Sequence, residues 1–232
     1  MTERVLLVTG ASRGIGAATA RRAVAAGFRV GLVARNPGSV GPLAAELGEE
    51  RALPLAADVA DWPGISRAVE AVLARFGRLD AVFANAGIGM GVSFFGDGGA
   101  EPERWRELVL TNVYGAALTA RATLPALAES GGHLVLTGSV AGRYPRKGSL
   151  YSATKWAVSG MAAGIREEAV GTGVRVTLVQ PGITDTDILT DEQKRKPKLE
   201  ADDVARAVLY ALEQPPTVDV NEIMVRPTGQ VL

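Results

Sequence analysis

The chain has 232 residues, of which 47% are apolar and 22% charged. That length and balance exclude a disordered or collagen-like polymer and fit one α/β domain over 1–232 with a core that needs no staples. Lys plus Arg and Asp plus Glu number 25 each, so the net charge of zero favours neither nucleic acid nor an anionic membrane as a partner. With no Cys and one His, His133, the chain cannot form disulfides or thiol nucleophiles and offers little basis for a zinc site or a Ser-His-Asp triad.

From the N-terminus, Met1-Thr2-Glu3-Arg4 runs directly into a strand at 4–9 (RVLLVT), without the basic and apolar regions of a signal peptide. A helix is expected at 14–26, a second strand at 29–34 and a short helix at 40–48. A third strand follows at 52–56, then a helix at 64–76 with Val69, Val72, Leu73 and Phe76 at helical spacing. A fourth strand lies at 80–84 (DAVFA), and 103–127 reads as one or two helices. A fifth strand (133–138), a helix (152–170), a sixth strand (175–180), a helix (202–213) and a last strand (222–226) complete the chain. No apolar run reaches the roughly 18 residues of a membrane span, and a reducing cytoplasm is the expected compartment.

Alternation of strand and helix predicts βαβ units: a doubly wound, Rossmann-type parallel sheet of about seven strands with helices on both faces. The strand runs are almost continuously apolar, as strands covered on both faces should be. Two stretches read as irregular, the glycine-rich 87–101 and 182–199. The latter ends in the basic run Lys194-Arg195-Lys196-Pro197-Lys198, which reads as a solvated loop or as a lid over a ligand.

Between the first strand and first helix lies Thr9-Gly10-Ala11-Ser12-Arg13-Gly14-Ile15-Gly16. Gly10 permits a tight turn, Gly14 lets a pyrophosphate approach the backbone, and Gly16 lets helix and strand pack closely. The helix start then presents free N–H groups and a positive dipole end to an anion. No Gly-Lys-Ser/Thr follows, so the loop is not a P-loop. A dinucleotide with a free 2′-hydroxyl would be met by an acid at the end of the second strand. That strand ends instead in Ala34-Arg35-Asn36. Arg35 together with Arg13 suits a 2′-phosphate, so NADP(H) is favoured over NAD(H).

Tyr151-Ser152-Ala153-Thr154-Lys155 opens a helix. Positions i and i+4 share a face, so the phenol and the ammonium point the same way. A nearby cation lowers a phenol pKa, as a general acid/base at neutral pH requires.

With these motifs the sequence resembles the short-chain dehydrogenase/reductase (SDR) family over essentially its whole length. The matching residues are Thr9–Gly16, Asp58-Val59, Asn85-Ala86-Gly87, Asn112, Ser139, Tyr151 with Lys155, and Pro181-Gly182 followed by Thr186. The resemblance implies hydride transfer between a nicotinamide and a substrate carbon. By the same resemblance, Tyr151 exchanges the proton with the substrate oxygen. Lys155 lowers the tyrosine pKa and holds the nicotinamide ribose, Ser139 orients and polarises the substrate oxygen, and Asn112 fixes a relay water. Gly10, Ser12, Arg13, Gly14, Ile15 and Gly16 would hold the pyrophosphate end. Arg35 would meet the 2′ position, and Asp58 and Val59 would border the adenine. Asn85, Ala86 and Gly87 would line the ribose and support the sheet. Pro181, Gly182, Ile183 and Thr186 would meet the nicotinamide. No metal is implied.

Three features depart from the family pattern. The serine-to-tyrosine spacing is one residue short, Ala84 stands where an Asn is usual, and the substrate loop is modest. His133 reads as structural. Trp62 and Trp105 read as packing residues. Trp156 reads as pointing away from the catalytic face, into the core or a subunit interface. Met90, Phe94 and Phe95 read as pocket lining or core.

The function these features imply is an NADP(H)-dependent oxidoreductase interconverting a secondary alcohol or hydroxy acid and a carbonyl compound. A 3-oxoacyl thioester reductase is the enzymatic alternative, and a dinucleotide-binding sensor without turnover the alternative of another class. The Ala-rich helical segments at 113–127 and 152–170 suggest, by the same resemblance, a homodimer or homotetramer.

Overall fold

A computed structural model describes residues 3–230 apart from 93, 96–98, 145–148, 188 and 190. Met1 and Thr2, parts of the three loops at 87–101, 140–150 and 182–199, and the last two residues therefore lie outside the described residues. The strands are β1 (Val5–Thr9), β2 (Arg29–Ala34), β3 (Ala52–Ala56), β4 (Ala81–Ala84), β5 (His133–Thr137), β6 (Arg175–Pro181) and β7 (Glu222–Val225). They form one parallel sheet in the order β3-β2-β1-β4-β5-β6-β7. Helices α1 (Gly14–Ala25), α2 (Gly41–Leu47), α3 (Trp62–Phe76), α4 (Pro102–Val109), α5 (Gly115–Ser130), α6 (Leu150–Glu168), α7 (Asp191–Lys194) and α8 (Ala201–Leu212) fill the connections.

Side chains alternate across a strand, and the sheet separates two cores accordingly. Leu6 and Val8 of β1 face a core with Val24 of α1, Leu43 of α2 and Val204 and Val208 of α8. Val5 and Leu7 face the other, with Ile65 and Val72 of α3, Leu127 of α5 and Val158 of α6. β1, β2, β4, β5 and β6 are buried almost throughout, as expected. β3 and β7 are not: their residues alternate between covered and exposed. Both are edge strands, so the continuous burial expected of central strands does not extend to them.

Local chemistry sets the helix ends. Asp61 caps α3 by accepting from the Gly64 amide at 2.9 Å, and Gly77 ends it with φ +77°. Ser149 caps α6 through the Ser152 amide at 3.0 Å. Glu200 and Asp203 form a reciprocal box at the start of α8. The segment read as one or two helices is nearly continuous, but residues Leu110–Tyr114 form a π-helical turn between α4 and α5.

His133 is buried at the base of β5, with Nε2 2.7 Å from Thr177 Oγ1. Burial, and secondarily the charge of Arg175, lower its pKa to about 3. It is neutral and structural, at the opposite end of the strands from the glycine loop. Among the described residues, no helix is long and apolar enough to cross a membrane, and no cluster of three or more His, Cys, Asp or Glu could hold a metal ion.

Candidate active site

Between β1 and β4 the strand order reverses direction, and the carboxyl ends of the strands open there into a crevice. Gly10 leaves β1 with φ +65°, and a Cβ on it would lie 2.9 Å from Ala86 Cα. A Cβ on Gly16 would lie 2.2 Å from the Gly10 carbonyl oxygen and 2.8 Å from Asn85 Nδ2. Glycine at these two positions lets loop, helix and β4 close on one another.

Asn85 completes that closure. Its Nδ2 donates to the carbonyl oxygens of Thr9 (3.1 Å) and Gly10 (3.3 Å), and its Oδ1 accepts from Thr137 Oγ1 (3.4 Å). Thr9 Oγ1 in turn accepts from the amides of Asn85 (3.0 Å) and Ala86 (3.1 Å). The side chain read as lining a ribose therefore ties β1, β4 and β5 together, while Asn85 still borders the crevice.

Two connected clefts make up the crevice. One, of about 350 Å³, is lined by Gly10, Ser12, Arg13, Gly14, Ile15, Ala34, Arg35, Asp58, Val59, Asn85, Ala86, Gly87 and Thr186, and also by Thr111, Asp185 and Asp187. The other, of about 670 Å³, is lined by Ser139, Tyr151, Lys155, Pro181, Gly182 and Ile183, with Met90, Val92, Val140, Leu189 and Gln193 among its walls. Ile15, Asn85, Gly87, Ile88 and Thr186 border both. The start of α1 faces the smaller cleft. Unlike α3 and α6, this helix receives no side-chain cap at its N-cap, Arg13. A glycine cradle beside an uncapped helix start fits the pyrophosphate of a dinucleotide.

In the larger cleft, the first turns of α6 carry Tyr151 and Lys155. Lys155 Nζ lies 5.7 Å from the centroid of the Tyr151 ring and donates to the Thr137 carbonyl oxygen at 2.8 Å. Lys155 is buried, and that burial lowers its pKa from the usual 10.5 to about 8. It is not the solvated helical surface partner that the spacing alone would allow. Ser139 follows β5; its Oγ accepts from the Ala141 amide at 3.1 Å and faces the Pro181 carbonyl oxygen at 3.5 Å. That donation is long and weak, and the hydroxyl also lines the larger cleft.

Asn112 and Gly16 line neither cleft. Asn112 lies buried in the π-helical turn, where the extra residue per turn re-aims side chains. Its Oδ1 accepts from the Ile88 amide (2.9 Å), and its Nδ2 donates to the Ile88 carbonyl oxygen (3.0 Å) and to Thr154 Oγ1 (3.1 Å). It clamps the strap at Ile88 to α6, directly behind Tyr151 and Lys155. Ile88, Thr137, Thr154, Asp185 and Asp187 were not picked out by the sequence reading. Thr154, inside the Tyr-Lys segment, and Thr111, beside Asn112, carried a signal in their positions; the others pair only through the fold.

Of the apolar candidates, Met90 lines the larger cleft. Phe95 is 94% exposed, and Phe94 is exposed and stacks edge-on against Trp105, so neither lines the clefts nor joins the core. Trp62 and Trp156 are 43% and 47% exposed. Each lies on an outward helix face, which removes the core placement considered for Trp156.

A family model described as short chain dehydrogenase matches residues 4–197. The chain belongs to that family. Like its relatives, this short-chain dehydrogenase is an oxidoreductase. An uncharacterized oxidoreductase of Staphylococcus epidermidis is 38% identical over 229 residues, 97% of each chain. An alcohol dehydrogenase of the archaeon Thermococcus sibiricus, complexed with 5-hydroxy-NADP, superposes with a TM-score of 0.89 at 31% identity, covering 99% of this chain and 98% of that one. A 3-ketoacyl-(acyl-carrier-protein) reductase of Brucella melitensis, complexed with NADH, gives 0.88 at 28% identity over 96% of both. The short-chain dehydrogenase thus shares its fold with relatives solved with each form of the dinucleotide.

Proposed function

We propose that the protein is an NADP(H)-dependent reductase or dehydrogenase that interconverts a carbonyl compound and a secondary alcohol or hydroxy acid. The observation that carries this reading is continuity. The cleft holding Ser139, Tyr151 and Lys155 joins the glycine-loop cleft through Ile15, Asn85, Gly87 and Thr186. A dinucleotide with its pyrophosphate on α1 has room to place its other end beside the tyrosine.

In this reading, Gly10, Ser12, Arg13, Gly14 and Ile15 hold the pyrophosphate end, and Asp58 and Val59 border the adenine. Arg13 and Arg35 take the 2′-phosphate. Pro181, Gly182, Ile183 and Thr186 hold the far end. When bound, the nicotinamide supplies or accepts the hydride. Tyr151 gives its proton to the substrate oxygen in reduction and takes it back in oxidation. The protonated Lys155 favours the phenolate and so keeps the phenol acidic enough to donate. Ser139 donates to the same substrate oxygen and fixes its position. Asn112 holds Ile88 and Thr154 in place behind this pair.

Tyr114 and Trp156, at 46% and 47% exposure on the α5–α6 side, support self-association through those helices. A chain without cysteine suits the reducing cytoplasm.

The test is to follow NADPH absorbance with a panel of ketones, aldehydes, 3-oxo acids and an oxoacyl thioester, with Tyr151→Phe beside the parent. Turnover by the parent and its loss in the variant support the reading. Turnover confined to the thioester would move it to a 3-oxoacyl thioester reductase. NADPH binding with no turnover on any member of the panel would count for a dinucleotide sensor instead.

A further inference from the structure

The two arginines at the adenosine end of the crevice are already engaged. Arg13 Nη1 lies 2.9 Å from Asp187 Oδ2, and Arg35 Nη1 lies 3.5 Å from Glu107 Oε1. Arg13, Arg35 and Asp187 all line the same cleft. Asp187 reaches Arg13 from the segment that follows β6, so the pair also bridges that segment to the glycine loop. A 2′-phosphate that takes a guanidinium here must displace a carboxylate or share the guanidinium with one.

The carboxylates differ in what they keep when displaced. Glu107 has a second cation at hand, Arg104 Nη2, 3.8 Å away one helical turn earlier. It can turn to that partner when Arg35 swings to a ligand. Among the described residues, the ion pair of Asp187 is with Arg13 alone. Once Arg13 turns to a phosphate, Asp187 stays beside that phosphate as a like charge, with no other ion-pair partner among the described residues.

We infer that Asp187 is a specificity-determining residue for the 2′ position of the dinucleotide: it occupies Arg13 and thereby restrains the preference for a 2′-phosphate. The inference rests on the dinucleotide reading given above. On this inference a cofactor lacking the phosphate is also admitted, although the chain carries two arginines and no acid at the end of β2. A ligand with a free 2′-hydroxyl leaves the Arg13–Asp187 pair intact, whereas a phosphorylated one must break or share it. Both side chains are well exposed, at 74% and 68%, so the exchange needs no change in the core.

The experiment measures binding of adenosine 2′,5′-bisphosphate and of 5′-AMP by calorimetry, with no turnover involved. Parent, Asp187→Asn and Glu107→Gln are compared. Asp187→Asn is expected to tighten the bisphosphate about five- to tenfold and leave 5′-AMP within about twofold. Glu107→Gln is expected to move the bisphosphate by no more than about twofold, because Arg104 already offers the glutamate another partner. Equal tightening of both nucleotides by Asp187→Asn would overturn the inference, since Asp187 would then act on anions at the helix start in general. Unchanged or weaker bisphosphate binding would overturn it as well. A parent protein that takes up neither nucleotide would remove the dinucleotide reading itself, and the inference with it. Arg13→Gln provides the control, and is expected to erase the difference between parent and Asp187→Asn.

Discussion

Lys155 Nζ sits 5.7 Å from the centre of the Tyr151 ring, inside the protein. The cation proposed to act on the phenol is thus buried, and its own charge is under pressure from that burial. With the lysine pKa lowered to about 8, the protonated form dominates at neutral pH and is lost as pH rises through that value. If Lys155 acts as proposed, carbonyl reduction declines above pH 8, as its ammonium loses the proton. A pH profile of kcat/KM from 6 to 10 checks this; a flat profile across that range would count against the proposed role.

The same burial makes Lys155 a thermodynamic burden. The folded pKa lies below the unfolded one, so the unfolded chain binds the extra proton between about 8 and 10.5. The penalty is full below pH 8 and is relieved as pH climbs toward 10.5. Lys155→Met removes it, at the loss of one hydrogen bond to Thr137. The variant is expected to be inactive yet more stable than the parent by about 2 kcal/mol at pH 7. Its advantage should shrink at high pH. Urea unfolding at pH 7 and pH 10 measures both.

Tyr151→Phe removes only the phenolic oxygen. Turnover is expected to fall by about 10²–10⁴-fold, the usual contribution of a positioned acid/base group. Dinucleotide affinity should change by less than about twofold, because Tyr151 belongs to the larger cleft whereas Arg13, Gly14 and Ile15, proposed to hold the pyrophosphate end, line the smaller one. Fluorescence titration with NADPH beside single-turnover kinetics separates the two effects.

Gly16→Ala places a methyl group against the Gly10 carbonyl and the Asn85 amide. The obstacle is backbone on one side and a three-strand tie on the other, so neither can yield cheaply. A destabilisation of about 3 kcal/mol is expected, at the upper end of overpacking costs. Binding of NADPH should weaken with it, as the start of α1 shifts. Denaturant midpoints and nucleotide titration are the measurements.

Asn112→Ala leaves the Ile88 amide and carbonyl without partners beside α6. A stability loss of about 1 kcal/mol is expected, because Ile88 is only partly buried and borders both clefts. Asn112→Asp keeps the acceptor but loses the donor to Ile88 and Thr154, and adds a buried charge. It should fare no better. Thermal unfolding of both variants tests this.

Element order and the glycine loop were legible in the sequence because both are local. Alternating apolar runs and a glycine spacing between strand and helix need no knowledge of the rest of the chain. Strand ends at 9, 34 and 56 match the expected ones. The π-helical turn at Leu110–Tyr114 was not legible, because Leu-Thr-Asn-Val-Tyr suits an ordinary helix. The turn that aims Asn112 at Ile88 shows only in the folded backbone. The carboxylates facing Arg13 and Arg35 were equally hidden, since Asp187 and Glu107 are distant in sequence and meet the arginines only in the folded chain. Phe94 and Phe95 misled for a different reason: aromatic residues in a glycine-rich loop suggest a pocket, yet a surface loop can point them outward.

The position of β1 has a consequence for synthesis. This strand precedes both of its partners in the chain, yet it lies between them in the middle of the sheet. On a ribosome, β2 can pair with it and β3 with β2 once residue 56 has emerged, whereas β4 does not end until Ala84. Over that interval the nascent chain carries a wholly apolar strand, Val5 to Val8, with one edge unpaired. The growing polypeptide is therefore open to chaperones, and to pairing with neighbouring nascent chains, until β4 has emerged.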